Sequence, residues 1–126
     1  MRYHRITIWL AVVSCLAALM VSPAMANKAS VQIEAVGDVV QGDTITIKLN
    51  VSHKGNNWFH YTNWVRLVVN GTEVKRWEYT RSKRPEAENF TLAFSYTVKE
   101  PIEIVAEANC NLHGSMGPAT LKVDPR

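Results

Sequence analysis

The chain has 126 residues, 47% of them hydrophobic, with 14 Lys and Arg against 11 Asp and Glu. That length supports one domain around one core and excludes a multidomain enzyme. The formal charge of +3 owes two units to arginines in the first five residues; without them 12 bases face 11 acids, so the balance carries no footprint of a nucleic-acid binder.

Residues 1–26 read as a secretory signal peptide. Arg2 and Arg5 form a charged start, Ile6 to Val21 is almost unbroken apolar sequence, and Ala24-Met25-Ala26 places small residues where a signal peptidase reads. The apolar run is too short, and too promptly followed by that cleavage site, to be a membrane span. Val12-Val13-Ser14-Cys15 loosely resembles a lipoprotein signal, but the sequence after Cys15 stays apolar where a lipoprotein turns polar. The expectation is cleavage after Ala26, a periplasmic location, no membrane span thereafter, and one mature domain over residues 27–126.

The mature part is patterned as strands, without helical periodicity of useful length. Val31 to Ala35 alternates, and Thr44 to Val51 alternates with Ile45, Ile47, Leu49 and Val51 on one face. Gly42-Asp43 marks the turn between them. Trp64 to Val69 is a more continuous apolar strand, followed by Asn70-Gly71, the strongest two-residue hairpin signal, and a partner strand from Glu73 to Tyr79. The charged, Pro-containing segment Arg81 to Glu88 reads as a loop. Phe90 to Val98, Ile102 to Ala108 and Thr120 to Val123 complete about seven strands, which predicts an all-β, immunoglobulin-like β-sandwich. Trp58, Trp64 and Trp77 read as core or rim packing.

Chemistry concentrates in few residues. Cys15 leaves with the signal, so Cys110 is the one cysteine of the mature chain. An internal disulfide is then impossible, and the thiol is buried and inert, reactive, or bound to metal. The mature histidines are His53, His60 and His113, all at expected strand ends or in loops, where one rim of a sandwich can gather them. Cys110-Asn111-Leu112-His113-Gly114 lets a thiolate and an imidazole converge on one ion, with Gly114 permitting a sharp turn. Such donors suit iron, copper or zinc, not magnesium or calcium. Two arrangements follow. In one, His53, His60 and His113 surround the ion, Cys110 is axial, and a coordination position stays open. In the other, Cys110, His113 and one upstream histidine form a trigonal copper site with Met116 as a weak axial ligand. No phosphate-cradling glycine loop and no G-x-S-x-G nucleophile elbow occurs.

Several of these segments resemble the iron-binding domain of the superoxide reductase family (desulfoferrodoxin and neelaredoxin). Cys110-Asn111-Leu112-His113-Gly114 matches that family's C-N-x-H-G step, His60-Tyr61-Thr62-Asn63-Trp64-Val65-Arg66-Leu67 resembles its H-Y-I-x-W-I-x-L strand, and Asn70-Gly71 falls where its hairpin sits. His53 stands where the family has the histidine of H-P-M, with Lys54-Gly55 in place of Pro-Met and a loop to His60 one residue longer. The resemblance runs from about Asn27 to Met116. It implies a mononuclear non-haem iron with equatorial His53, His60 and His113, axial Cys110, and one-electron reduction of superoxide to hydrogen peroxide. Lys28 coincides with the lysine that draws in the anionic substrate.

One departure qualifies this. The family's first histidine lies in an E-K-H-V-P-V-I-E segment, and that position here is Ala29. The resemblance therefore implies a site one histidine short. The Cys-rich iron domain of two-iron members is absent from the sequence, so electrons would come from a separate donor protein. Two alternatives stay open: a periplasmic cupredoxin-like copper carrier using Cys110, His113 and Met116, and a non-catalytic binding module such as a partner of a sulfur-oxidation complex.

Overall fold

Alternation of apolar side chains decides the architecture. In the computed structural model, which describes residues 28–37 and 39–126, seven strands form: β1 (Ser30–Val36), β2 (Thr44–Ser52), β3 (Thr62–Val69), β4 (Thr72–Glu78), β5 (Asn89–Thr97), β6 (Ile102–Cys110) and β7 (Ala119–Val123). The expected signal peptide lies outside the described residues. Strands β1-β2-β5 make one antiparallel sheet and β4-β3-β6-β7 the other. The all-β sandwich expected from the sequence is the fold observed. Among the described residues no helix is long and apolar enough to cross a membrane.

The core lies between the sheets. Ile45, Ile47, Leu49 and Val51 of β2 face Val65, Leu67 and Val69 of β3 and Ile102, Ile104, Ala106 and Ala108 of β6, all buried. Period-2 alternation presents these residues on one face, and their burial supplies the main stabilisation. Asn70 (φ 48°) and Gly71 (φ 80°) both take the left-handed conformation of the tight turn joining β3 to β4.

Two β-bulges break the alternation. Val68 pairs with Glu73 and Leu67 with Lys75, leaving Val74 as the extra residue. Val74 and Trp77, three apart, therefore both pack on the core, where strict alternation would set them on opposite faces. At the start of β3, Thr62 pairs with Cys110 and Trp64 with Asn109, so Asn63 is the extra residue. That bulge turns Thr62 inward, fully buried. Here the strand begins two residues earlier than the apolar pattern indicates.

Strand pairing also gathers loops. Ser30 at the start of β1 pairs with Ser52 at the end of β2, which pairs with Asn89 at the start of β5. The start of β3 lies against the ends of β6 and β4. Residues 53–61, 79–88 and 111–118, with Lys28 and Ala29 before β1, thus share one end of the sandwich.

Candidate metal centre

Both strands nearest the site deliver their last inward residue to it. The buried series of β2 (positions 45, 47, 49, 51) continues to His53, and that of β6 (102, 104, 106, 108) ends at Cys110; each is 1% exposed. The apolar pattern ends at Val51 and Ala108, whereas β2 runs to Ser52 with His53 directly after it, and β6 runs to Cys110. His53 stays in register because its amide donates to the Glu88 carbonyl (2.7 Å).

Two tight loops supply the remaining donors. Asn57 accepts from the amides of Phe59 (2.9 Å) and His60 (3.0 Å) through Oδ1, an Asx-type turn that presents His60. Cys110 and Gly114 exchange backbone hydrogen bonds at 2.9 and 3.0 Å, closing the Cys110–Gly114 loop, with Gly114 at φ +81°. Within that loop the His113 amide points at Cys110 Sγ (3.4 Å) and its Nδ1 lies 3.8 Å from the sulfur. Asn111 ties the two loops together: its Oδ1 accepts from the Tyr61 amide (2.9 Å) and its Nδ2 donates to the Phe59 carbonyl (3.1 Å).

Ligating atoms of His53, His60 and Cys110 all lie within 4.8 Å of one another. His53 Nε2 is 3.3 Å from His60 Nε2, which is 2.9 Å from His113 Nδ1. The four residues singled out from the sequence are therefore brought together, with His113 on the exposed side. Met116 is 44% exposed, and its amide donates to the Ala29 carbonyl (2.9 Å).

Outer partners fix the tautomers. Asn56 Oδ1 accepts from the Thr62 amide (2.8 Å), so it is an oxygen, and His53 Nδ1, 2.7 Å away, must be the donor. His60 Nδ1 faces the Gly55 carbonyl at 3.0 Å and must also donate. In the neutral rings both Nε2 atoms then carry lone pairs, and those lone pairs meet at 3.3 Å beside a thiol. A cation between the rings answers both lone pairs, and the His113 Nδ1 position, 2.9 Å from His60 Nε2, can answer the second. Soft and imidazole donors converging on one point fit a transition-metal ion, and the fixed outer hydrogen bonds are what such a centre uses to aim its ligands. The sequence does not single out Asn56; its one signal is an Asx residue three positions after a histidine.

Ala29 sits beside this centre. It is fully buried, its amide donates to the Gly114 carbonyl (3.3 Å), and it forms a parallel bridge with Ser115. Lys28 precedes it, half-buried at the same rim.

Three histidines and a cysteine thus gather at one rim of a β-sandwich. The chain belongs to the desulfoferrodoxin family, whose model matches residues 23–116. Its fold is similar to the superoxide reductase (neelaredoxin) from Ignicoccus hospitalis, with a TM-score of 0.67 and 19% identity over 85% of this chain and 89% of that one. It is also similar to the superoxide reductase (neelaredoxin) from Archaeoglobus fulgidus in the reduced form, with a TM-score of 0.54 and 22% identity over 75% and 89% of the two chains. At such identities the likeness establishes the fold. Comparison with curated protein sequences gives no match.

Proposed function

We propose that this chain is an exported mononuclear iron protein that reduces superoxide to hydrogen peroxide. The observation that carries the reading is the pair of Nε2 lone pairs on His53 and His60, set by their outer hydrogen bonds beside Cys110 Sγ and His113 Nδ1. Family membership and the fold shared with superoxide reductases support the same assignment.

In this reading Nε2 of His53, Nε2 of His60, Nδ1 of His113 and Sγ of Cys110 hold the ion. When bound, the iron supplies the single electron that converts superoxide, with two protons, to hydrogen peroxide. The chain's part is to hold and orient. His53 is locked by Asn56, His60 by the Gly55 carbonyl, and the His113 amide directs a hydrogen bond at the sulfur and disperses its charge. Lys28, held at the rim through its bonded neighbour Ala29, draws the anion inward. The copper arrangement through Met116 is less favoured, because His53 and His60 both stand in the Cys110 cluster while Met116 is held to Ala29 by its backbone.

Anaerobic titration should give one Fe(II) per chain, lost in Cys110→Ser and His113→Ala. The loaded protein should then consume superoxide stoichiometrically and form peroxide without evolving oxygen. Superoxide decay at the buffer rate would reject the enzymatic reading, and unchanged metal content in both variants would reject the site. Export predicts periplasmic protein beginning at Asn27, read by N-terminal sequencing.

A further inference from the structure

The three histidines of the centre are not aimed alike. His53 Nδ1 is locked by Asn56 and His60 Nδ1 by the Gly55 carbonyl. Among the described residues, the His113 ring meets only His60 and Cys110, at the centre itself. Its direction is therefore inherited from the loop on which it stands. Asn111 ties the leading end of that loop to Tyr61 and Phe59. How firmly the trailing end is tied then decides whether His113 stays beside the sulfur.

Ser115 holds that trailing end. Its hydroxyl donates to Glu107 Oε2 (3.1 Å) and accepts from the Gly117 amide (2.9 Å), while its backbone forms the bridge with Ala29. Glu107 lies on the face of β6 turned away from the core, directly opposite Arg66 of β3. Its side chain is nevertheless only 17% exposed, and a carboxylate so covered needs partners for both oxygens. The two oxygens are divided: Oε1 takes Nε and Nη2 of Arg66, each at 3.2 Å, and Oε2 takes Ser115. Arg66 thus orients the carboxylate within the sheet, and the second oxygen carries the hold out to the loop. A hydroxyl donating to a carboxylate makes a bond roughly twice as strong as a neutral pair.

We propose that Glu107 is a positioning residue of the metal centre: through Ser115 it fixes the trailing end of the His113 loop and so keeps His113 Nδ1 beside Cys110 Sγ. The inference rests on reading His113 as a ligand. It assigns to one carboxylate, set on the outer face of the sheet, the aiming that Asn56 and the Gly55 carbonyl perform for the other two rings. Backbone bonds to Cys110 and Ala29 keep the loop closed without the carboxylate. The fold therefore survives its removal, and the change falls on how long His113 stays bound to the ion.

The test follows metal rather than superoxide turnover, so a failed reductase reading leaves it intact. Release of Co(II) from the loaded protein to EDTA should quicken about 10–100-fold in Glu107→Ala and in Ser115→Ala. The double variant should release no faster than the quicker single one, because both substitutions cut the same bond. Ser115→Thr keeps the hydroxyl and should release at the parent rate. The ligand-field bands of Co(II) in both single variants should move toward those of His113→Ala, a change that a purely structural role would not produce. Leu67→Ala, destabilised in the core and away from the rim, should also release at the parent rate. Parent-like release in Glu107→Ala and Ser115→Ala overturns the proposal. So do effects that multiply in the double variant, or equally fast release from Leu67→Ala, since release then follows overall stability. Unchanged release in His113→Ala would reject His113 as a ligand, and the proposal with it.

Discussion

Asn56 is the sharpest place to perturb the centre without touching a ligand. Its Oδ1 accepts from His53 Nδ1 (2.7 Å), the Thr62 amide (2.8 Å) and the Thr62 hydroxyl (3.2 Å), and its Nδ2 donates to the Ala87 carbonyl (2.9 Å). In Asn56→Ala the buried His53 N–H and the Thr62 amide both lose an acceptor. Each such loss costs about 1–3 kcal/mol, and Thr62 Oγ1, 3.0 Å from His53 Nδ1, can recover part of the first. The expected destabilisation is about 2 kcal/mol, a drop of roughly 8–16 °C in Tm for a domain of this size. His53 also becomes free to take the other tautomer, which turns an N–H toward the ion, so affinity should fall about 10–100-fold. Asn56→Asp keeps the acceptor for His53 and for the Thr62 amide, and should retain affinity to within a few-fold. Competition for Co(II) or Zn(II) against a chromophoric chelator measures affinity, and thermal denaturation of the metal-free protein measures stability. A destabilised Asn56→Ala variant that binds metal as tightly as the parent would refute the tautomer argument and leave Asn56 a merely structural residue.

Other expectations follow from the same geometry. Ala29→His places an imidazole where Ala29 is fully buried beside the Cys110–Gly114 loop. Iron release to a chelator should slow by tenfold or more while overpacking lowers stability by about 1–3 kcal/mol, and unchanged release would mean that the new ring does not reach the ion. Leu67→Ala, in the middle of the core, should cost about 2–5 kcal/mol in urea unfolding of the metal-free protein. Burial raises the Tyr79 pKa above the ordinary phenol value, and the ring packs edge-on against Phe90. Its neutral form is favoured by the fold, so this contribution is whole below about pH 10 and is lost as pH climbs through the higher folded value. Tyr79→Phe should remove from the 295 nm titration a phenolate that forms above the ordinary phenol range.

Most of the fold was legible because its determinants are local. Alternating apolar residues, the Asn70-Gly71 turn and Pro-containing loops identify seven strands to within two residues. The misses were at the bulges. Patterning puts Val74 and Trp77 on opposite faces, yet the extra residue in β4 sets both on the core. The bulge at Asn63 likewise hides the start of β3, and with it the inward turn of Thr62 toward His53. Bulges depend on what the neighbouring strand presents, which a one-dimensional pattern lacks. Trp58, read as core or rim packing, lies at the rim, half exposed under two arginines. The four donors were legible by residue type. The pattern stopped one step short of showing why two are buried: His53 and Cys110 continue the inward series of β2 and β6.

That continuation separates two halves of the centre. Cys110 is a member of the core, and His53 is buried directly past the end of β2. His60 and His113 hang on loops held by Asn57, Asn111 and Gly114, and His113 faces solvent. Apart from Cys110, the core between the sheets is made of residues outside the site, unlike a zinc finger, in which the metal free energy is the folding free energy. Metal then adds to an already folded domain by mass action, about 2.7 kcal/mol at a hundredfold excess over Kd. Exchange of the ion should therefore proceed from the His60 and His113 side, with His53 and Cys110 remaining in place. The exchange rate is then set by the loops that Asn57, Asn111 and Gly114 hold.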